Sequence, residues 1–199
     1  MKRSEINRLV QAARECFAHH GQTLPPRPRW DVTDFGLGDW RRHGLVLVNL
    51  AEEPEYCEKL MYAQRGMTTP AHCHRRKKED IIARHGTLRV TVWAAPPAEA
   101  AGLPLTLKVN GEPRALVSGA DLDLPAGSRV TLTPGVYHEF APLTEECVIG
   151  EVSTANDDTR DNFFINPDVG RYPAIEEDEP PLVTLLSEHN QAGGADRDA

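Results

Sequence analysis

Apolar positions change their period near residue 40. Ile6, Leu9, Val10, Ala13, Cys16 and Phe17 recur at three- and four-residue steps, which predicts a helix over about residues 4–20 with one buried face. Ser4 is placed to cap its start and Gly21 to end it. The run Leu24–Trp30 (LPPRPRW) reads as a linker, because proline cannot continue a helix. From about residue 40 the pattern shortens to brief apolar runs cut by glycine and proline. Strands are expected near 44–50, 58–64, 81–84, 88–94, 105–109, 114–117, 121–124, 129–132, 137–141 and 147–153. His85-Gly86 and Asn110-Gly111 mark hairpin turns, the second most clearly. Short strands so punctuated imply an all-β antiparallel sandwich or barrel, with the helix packed on it or on a second subunit. Beyond Ser153 the chain is polar, yet Phe163, Phe164, Ile165 and Tyr172 give it anchors. A loop of that length without structure is unusual unless it is functional, so residues 154–188 are expected to cover the barrel. Residues 189–199 lack apolar content and should fray, leaving 1–188 as one domain.

Charge and composition narrow the partners. Lysine and arginine number 22 and acidic residues 30, a formal charge of −8, which repels a phosphate backbone and argues against nucleic acid. No apolar run approaches the roughly 20 residues needed to span a bilayer. The amino end is charged and then amphipathic, unlike a signal peptide. Four cysteines without a CxxC pair fit free thiols in a reducing cytoplasm.

The chemistry concentrates between Gly66 and Gly86. His72 and His74 are two apart, so on a strand both imidazoles share a face, and Cys73 between them faces away. Glu79 has the opposite parity, but a turn through Arg75–Lys78 resets it. Two imidazoles and a carboxylate on one face are most of a divalent-metal site. A fourth ligand is available at His138, three residues after a turn at Pro134-Gly135. Lys77 shares the parity of Glu79 and should point inward, where a nearby cation and burial would lower its pKa and suit it to proton transfer. Glu151 shares a strand face with Ile149 and Ser153 that could be the barrel interior.

These segments resemble the two motifs of the cupin superfamily, with one departure: Thr133 stands where the second motif usually has proline, and Pro134 follows it. The resemblance implies a double-stranded β-helix, jelly-roll-like barrel with a metal held inside by His72, His74, Glu79 and His138. Mixed nitrogen and oxygen ligands suit manganese, iron, cobalt, nickel or zinc. More narrowly, His72, His74, Lys77, Glu79, Asp80 and Ile81, with the strings GEVSTANDD (150–158), DN (161–162) and GRYPAIEEDEPP (170–181), resemble the D-lyxose isomerases, a cupin family. That resemblance covers about residues 1–188. It implies a manganese-dependent, homodimeric ketol-isomerase interconverting D-lyxose with D-xylulose and D-mannose with D-fructose. It implies Lys77 as one acid/base and favours Glu176 as the second, ahead of Glu151 and Glu177. Glu151, Asp161 and Arg171 are the candidates for binding sugar hydroxyls, although Arg171 could equally pair with Asp168. The rival expectations are an iron-dependent cupin dioxygenase and a non-catalytic sugar-binding cupin.

Overall fold

The computed structural model describes residues 1–154, 160–170 and 174–188. Residues 189–199, expected to fray, and Arg171 and Tyr172 therefore lie outside the described residues. Helix α1 spans Arg3–His19, and its six expected apolar positions are all buried. Gly21 ends it with φ +70°, a conformation that costs glycine nothing. Its start differs from expectation: Lys2, not Ser4, is the N-cap. The first amides of a helix have no partner within it, and here the far end of the chain supplies most of the acceptors. Lys2 N–H donates to the Glu5 carboxylate at 2.9 Å, Arg3 N–H to the Glu176 carbonyl at 2.8 Å, and Ser4 N–H to the Asp178 carboxylate at 2.9 Å. The Arg3 guanidinium, 1% exposed, donates to Glu177 at 2.9 and 2.7 Å and to Glu188 at 2.6 Å.

Strand β1 (Arg29–Thr33) begins inside the stretch read as linker, so strands start before residue 40. Its alternation, with Trp30 and Val32 buried, sits against the prolines that masked it. A short helix α2 (Trp40–His43) leads to β2 (Leu45–Glu52), β3 (Tyr56–Gln64), β4 (Thr69–Cys73), β5 (Glu79–His85) and β6 (Thr87–Trp93). Then follow β7 (Pro104–Val109), β8 (Glu112–Val117), β9 (Ala120–Pro125), β10 (Arg129–Leu132), β11 (Tyr137–Pro142), β12 (Glu146–Thr154) and β13 (Phe163–Phe164). Asn110 and Gly111, at φ +53° and +87°, make the two-residue turn between β7 and β8 that their types predict.

The strands form two antiparallel sheets, ordered β1-β2-β3-β12-β5-β10-β7-β8 and β13-β4-β11-β6-β9. Their facing sides enclose the core of a cupin barrel. The run Leu45–Val48 is apolar at every position because both faces of β2 are covered. Leu45 and Leu47 face the barrel cavity, and on the other side α1 packs on the large sheet, with Phe17 stacked at 6.4 Å on Trp30 and edge-on to Tyr62. The helix therefore lies on its own barrel, and its amino end reaches the cavity, where Met1 and Ile6 form part of the wall.

Candidate active site

His72 sits on β4 directly opposite His138 on β11. The chain leaves β4 at Cys73, places His74 just beyond it, turns, and re-enters the barrel with Glu79 at the start of β5. The turn resets the parity of Glu79 as the spacing requires. What holds the turn is Asp161, whose buried carboxylate accepts the backbone N–H of Arg75 at 3.0 Å, Arg76 at 3.1 Å and Lys77 at 2.8 Å. Burial alone would raise its pKa, but these three amides outweigh it and hold Asp161 below the usual carboxylate range. The Pro134-Gly135 turn forms despite Thr133, and Gly135 N–H donates to the His74 carbonyl at 2.7 Å.

Each imidazole is oriented through Nδ1. His72 bonds the Pro70 carbonyl at 2.8 Å, His74 the Asp161 carbonyl at 2.7 Å and His138 the Val136 carbonyl at 3.2 Å. A carbonyl only accepts, so Nδ1 carries the proton and Nε2 presents a lone pair. Burial and the neighbouring imidazoles hold His72 neutral, well below its ordinary pKa, and burial lowers His74 as well. Burial opposes ionisation of Glu79, but the adjoining Lys77 ammonium keeps it charged, well below its ordinary pKa.

Ligand atoms of His72, His74, Glu79 and His138 lie within 4.8 Å of one another. Glu79 Oε1 stands 3.0 Å from His138 Nε2 and 3.6 Å from His74 Nε2. Both Glu79 Oε1 and His138 Nε2 are buried without a hydrogen-bond partner among the described residues. Two lone pairs at that separation repel unless a cation lies between them. Ligands about 2.1 Å from one ion and at right angles stand roughly 3.0 Å apart. The four residues therefore fit a divalent metal, which Glu79 would meet with its unpartnered Oε1.

The other oxygen, Glu79 Oε2, accepts from Lys77 Nζ at 2.7 Å, and the same ammonium donates to Glu151 Oε1 at 2.9 Å. Lys77 thus points inward, as its parity predicts. Burial lowers the Lys77 pKa, but without a cation beside it the charges of Glu79 and Glu151 outweigh burial and raise it, so the amine is protonated. Lys59 Nζ lies 3.5 Å from Glu151 Oε1. Glu151 is buried on the same strand face as Ile149 and Ser153, as alternation required. The three imidazoles, Glu79, Lys77, Glu151 and Lys59 line a cavity of about 300 Å³, whose wall also includes Phe140, Phe164, Met1, Ile175 and Leu185.

Two expectations need correction. The Glu176 side chain is 68% exposed, lies 3.7 Å from Lys2 and does not line the cavity, since its segment is spent on capping α1. Glu151, by contrast, lines the cavity and accepts from Lys77. Asp161 does not face the cavity either; its oxygens are taken by the turn and its carbonyl by His74. Sequence reasoning missed Lys59, which faces Glu151 across the β3–β12 ladder, and Asn162, whose buried Oδ1 has no partner among the described residues and which lines the cavity. The DN string was a signal for Asn162, but nothing in it says which of the two residues faces inward. Asp161→Ala is expected to weaken divalent-metal affinity about 10- to 100-fold, the usual cost of losing a group that orients a ligand, as read by metal titration.

Comparison with known proteins agrees with this geometry. The profile of the D-lyxose isomerase family matches residues 27–189. The chain is 34% identical to the D-lyxose/D-mannose isomerase of Escherichia coli O157:H7, over 96% of this chain and 99% of that protein. It is 29% identical to the D-lyxose ketol-isomerase of Cohnella laeviribosi, over 90% of this chain and all (100%) of that one. Its fold is shared with the L-ribose isomerase of Acinetobacter sp. DL28, at a TM-score of 0.63 and 19% identity over 85% of this chain and 94% of that one. With the motif ligands converging in one cavity and a relative matched from end to end, the chain belongs to the D-lyxose isomerase family.

Proposed function

We propose that the protein is a manganese-dependent aldose–ketose isomerase that interconverts D-lyxose with D-xylulose and D-mannose with D-fructose, with Lys77 and Glu151 moving the protons. The observation that carries this reading is the Lys77–Glu151 contact of 2.9 Å beside a His₃Glu ligand set in one small cavity. A volume of about 300 Å³ is at the low end for small-molecule sites, which suits a monosaccharide. A divalent metal held by His72, His74, Glu79 and His138 would polarise the sugar carbonyl and steady charge on the adjacent oxygens.

Isomerisation moves one hydrogen between C1 and C2 and one between the attached oxygens. The Glu151 carboxylate takes the proton from C2 of the aldose and returns it to C1. The Lys77 ammonium donates toward O1 as the carbonyl becomes a hydroxyl, and is restored by the proton leaving O2. Lys77 also fixes Glu79 through Oε2, which leaves Oε1 for the ion. Lys59 keeps Glu151 turned toward the ammonium, and the bare Asn162 Oδ1 accepts a sugar hydroxyl. Phe140 and Phe164 keep bulk water from the reacting carbons.

The test is a panel of free aldoses incubated with the manganese-loaded protein, with ketose formation as the readout. D-lyxose and D-mannose are expected to turn over without oxygen. Oxygen uptake with bound iron and no ketose would overturn the reading in favour of a dioxygenase, and sugar binding without turnover in favour of a sensor.

The exposed residues Leu50, Tyr56 and Val152 lie on the adjacent strands β2, β3 and β12 or at their ends and support a homodimer. Sedimentation at micromolar concentration is expected to give twice the chain mass. Four free, buried thiols support a reducing, cytoplasmic location. No helix among the described residues is long and apolar enough to cross a membrane.

A further inference from the structure

A second set of ligand-type side chains gathers at the carboxyl end of α1, and none of it lines the cavity. Cys16 and His20 are four apart, which places them on one helix face. The turn that sets their spacing is intact, with His20 N–H donating to the Cys16 carbonyl at 3.0 Å. Glu146, the first residue of β12, approaches from the barrel. One ligand atom from each of the three lies within 4.8 Å of the others.

Two features make this an oriented set. The Glu146 carboxylate is held through Oε2, which accepts from Tyr62 Oη at 3.2 Å, and Tyr62 Oη in turn accepts from Gln64 at 2.8 Å. Its Oε1 stays on the His20 side, 4.0 Å from Nε2. The His20 ring is fixed by stacking on His85, with centroids 3.3 Å apart, and by the edge of His19. This is the carboxylate-and-ring support that metal ligands require. The next thiol along the chain, Cys147, donates instead to the Thr87 carbonyl and takes no part.

We infer that Cys16, His20 and Glu146 form a zinc-type divalent cation site that pins the carboxyl end of α1 to the barrel. A thiolate and a carboxylate together neutralise one divalent cation, and the sulfur selects zinc or cobalt over manganese or magnesium. Binding expels the thiol proton to solvent, one per ion. Cys16 is buried, while the side chains of His20 and Glu146 are 22% and 38% exposed, so the ion enters from the solvent side and keeps a water in the fourth position.

Cobalt(II) titration of the full chain, first stripped by a chelator, tests this apart from the cavity. The cavity ligands include no sulfur, so a sulfur-to-cobalt charge-transfer band in the near ultraviolet reports the second site alone, whatever the cavity binds. The wild type is expected to develop that band at one equivalent per chain. Cys16→Ser should abolish it, and His20→Ala and Glu146→Gln should each weaken the cobalt affinity behind it at least tenfold. All three variants should keep metal binding in the cavity, which serves as the check that they fold. His20→Ala changes a side chain at the surface and carries the test if Cys16→Ser folds poorly. No band in the saturated wild type, a band that survives Cys16→Ser, or an unchanged affinity in His20→Ala would each overturn the site.

Discussion

Glu151→Gln is expected to lower kcat for D-lyxose by about 10³-fold, within the range for loss of a positioned acid/base, while metal content stays at the wild-type level. The amide keeps the shape of the carboxylate and still accepts from Lys77, so the cavity should keep its geometry. It cannot take a proton from carbon. Lys77→Ala should slow turnover by roughly 10²-fold or more and, unlike Glu151→Gln, should also loosen the metal, because Glu79 Oε2 loses its 2.7 Å partner. A Lys77 variant with wild-type turnover would withdraw the lysine from the mechanism. Reaction in D₂O separates the routes: transfer through Glu151 should place deuterium at C1 or C2, whereas a direct hydride shift would place none. A Glu151→Gln enzyme with normal kcat and no label would exclude the proton-transfer scheme.

His138→Ala is the second large effect. Removing one of three imidazoles would leave only His72, His74 and Glu79 for the proposed ion and deletes the atom 3.0 Å from Glu79 Oε1. A Lewis acid there would supply several kcal/mol of charge stabilisation, so its loss should reduce kcat/KM by at least about 10³-fold. Metal analysis after dialysis should find the variant largely empty. Full occupancy with normal turnover would remove His138 from the centre. Comparing the two experiments is informative: Glu151→Gln should separate metal content from activity, and His138→Ala should lose both together.

The cluster of three imidazoles and Glu79 was legible because its geometry is local. His72 and His74 share a strand face by spacing alone, and the RRKK turn had only to reset one parity. Lys77 and Glu151 followed from alternation along single strands. What stayed hidden depended on contacts between distant segments. Asp161 resembled a sugar ligand until its partners were seen to be the amides of residues 75–77, 84–86 positions away. The acidic run at 176–179 gave no sign that its work was to cap α1, so Glu176 was favoured over the carboxylate already inside the barrel. Lys59 was beyond reach because its relation to Glu151 exists only in the β3–β12 register. Strand β1 was lost for a local reason, since proline signals outweighed a short alternation.

The clasp between the two ends of the chain bears on the order in which the molecule can be made. Helix α1 is synthesised before the residues that hold it, since the carbonyl and carboxylates bonded to Arg3 and Ser4 belong to Glu176, Glu177, Asp178 and Glu188. Until those residues leave the ribosome, Arg3 has no counter-charge, and burying it alone would cost several kcal/mol. The nascent helix therefore has reason to stay loosely attached while the strands assemble. The cavity wall formed by Met1, Ile6, Ile175 and Leu185 is then finished last. The segment that neutralises Arg3 is thus the same one that supplies Ile175 and Leu185 to the cavity wall, so clasping the helix and enclosing the cavity are one event.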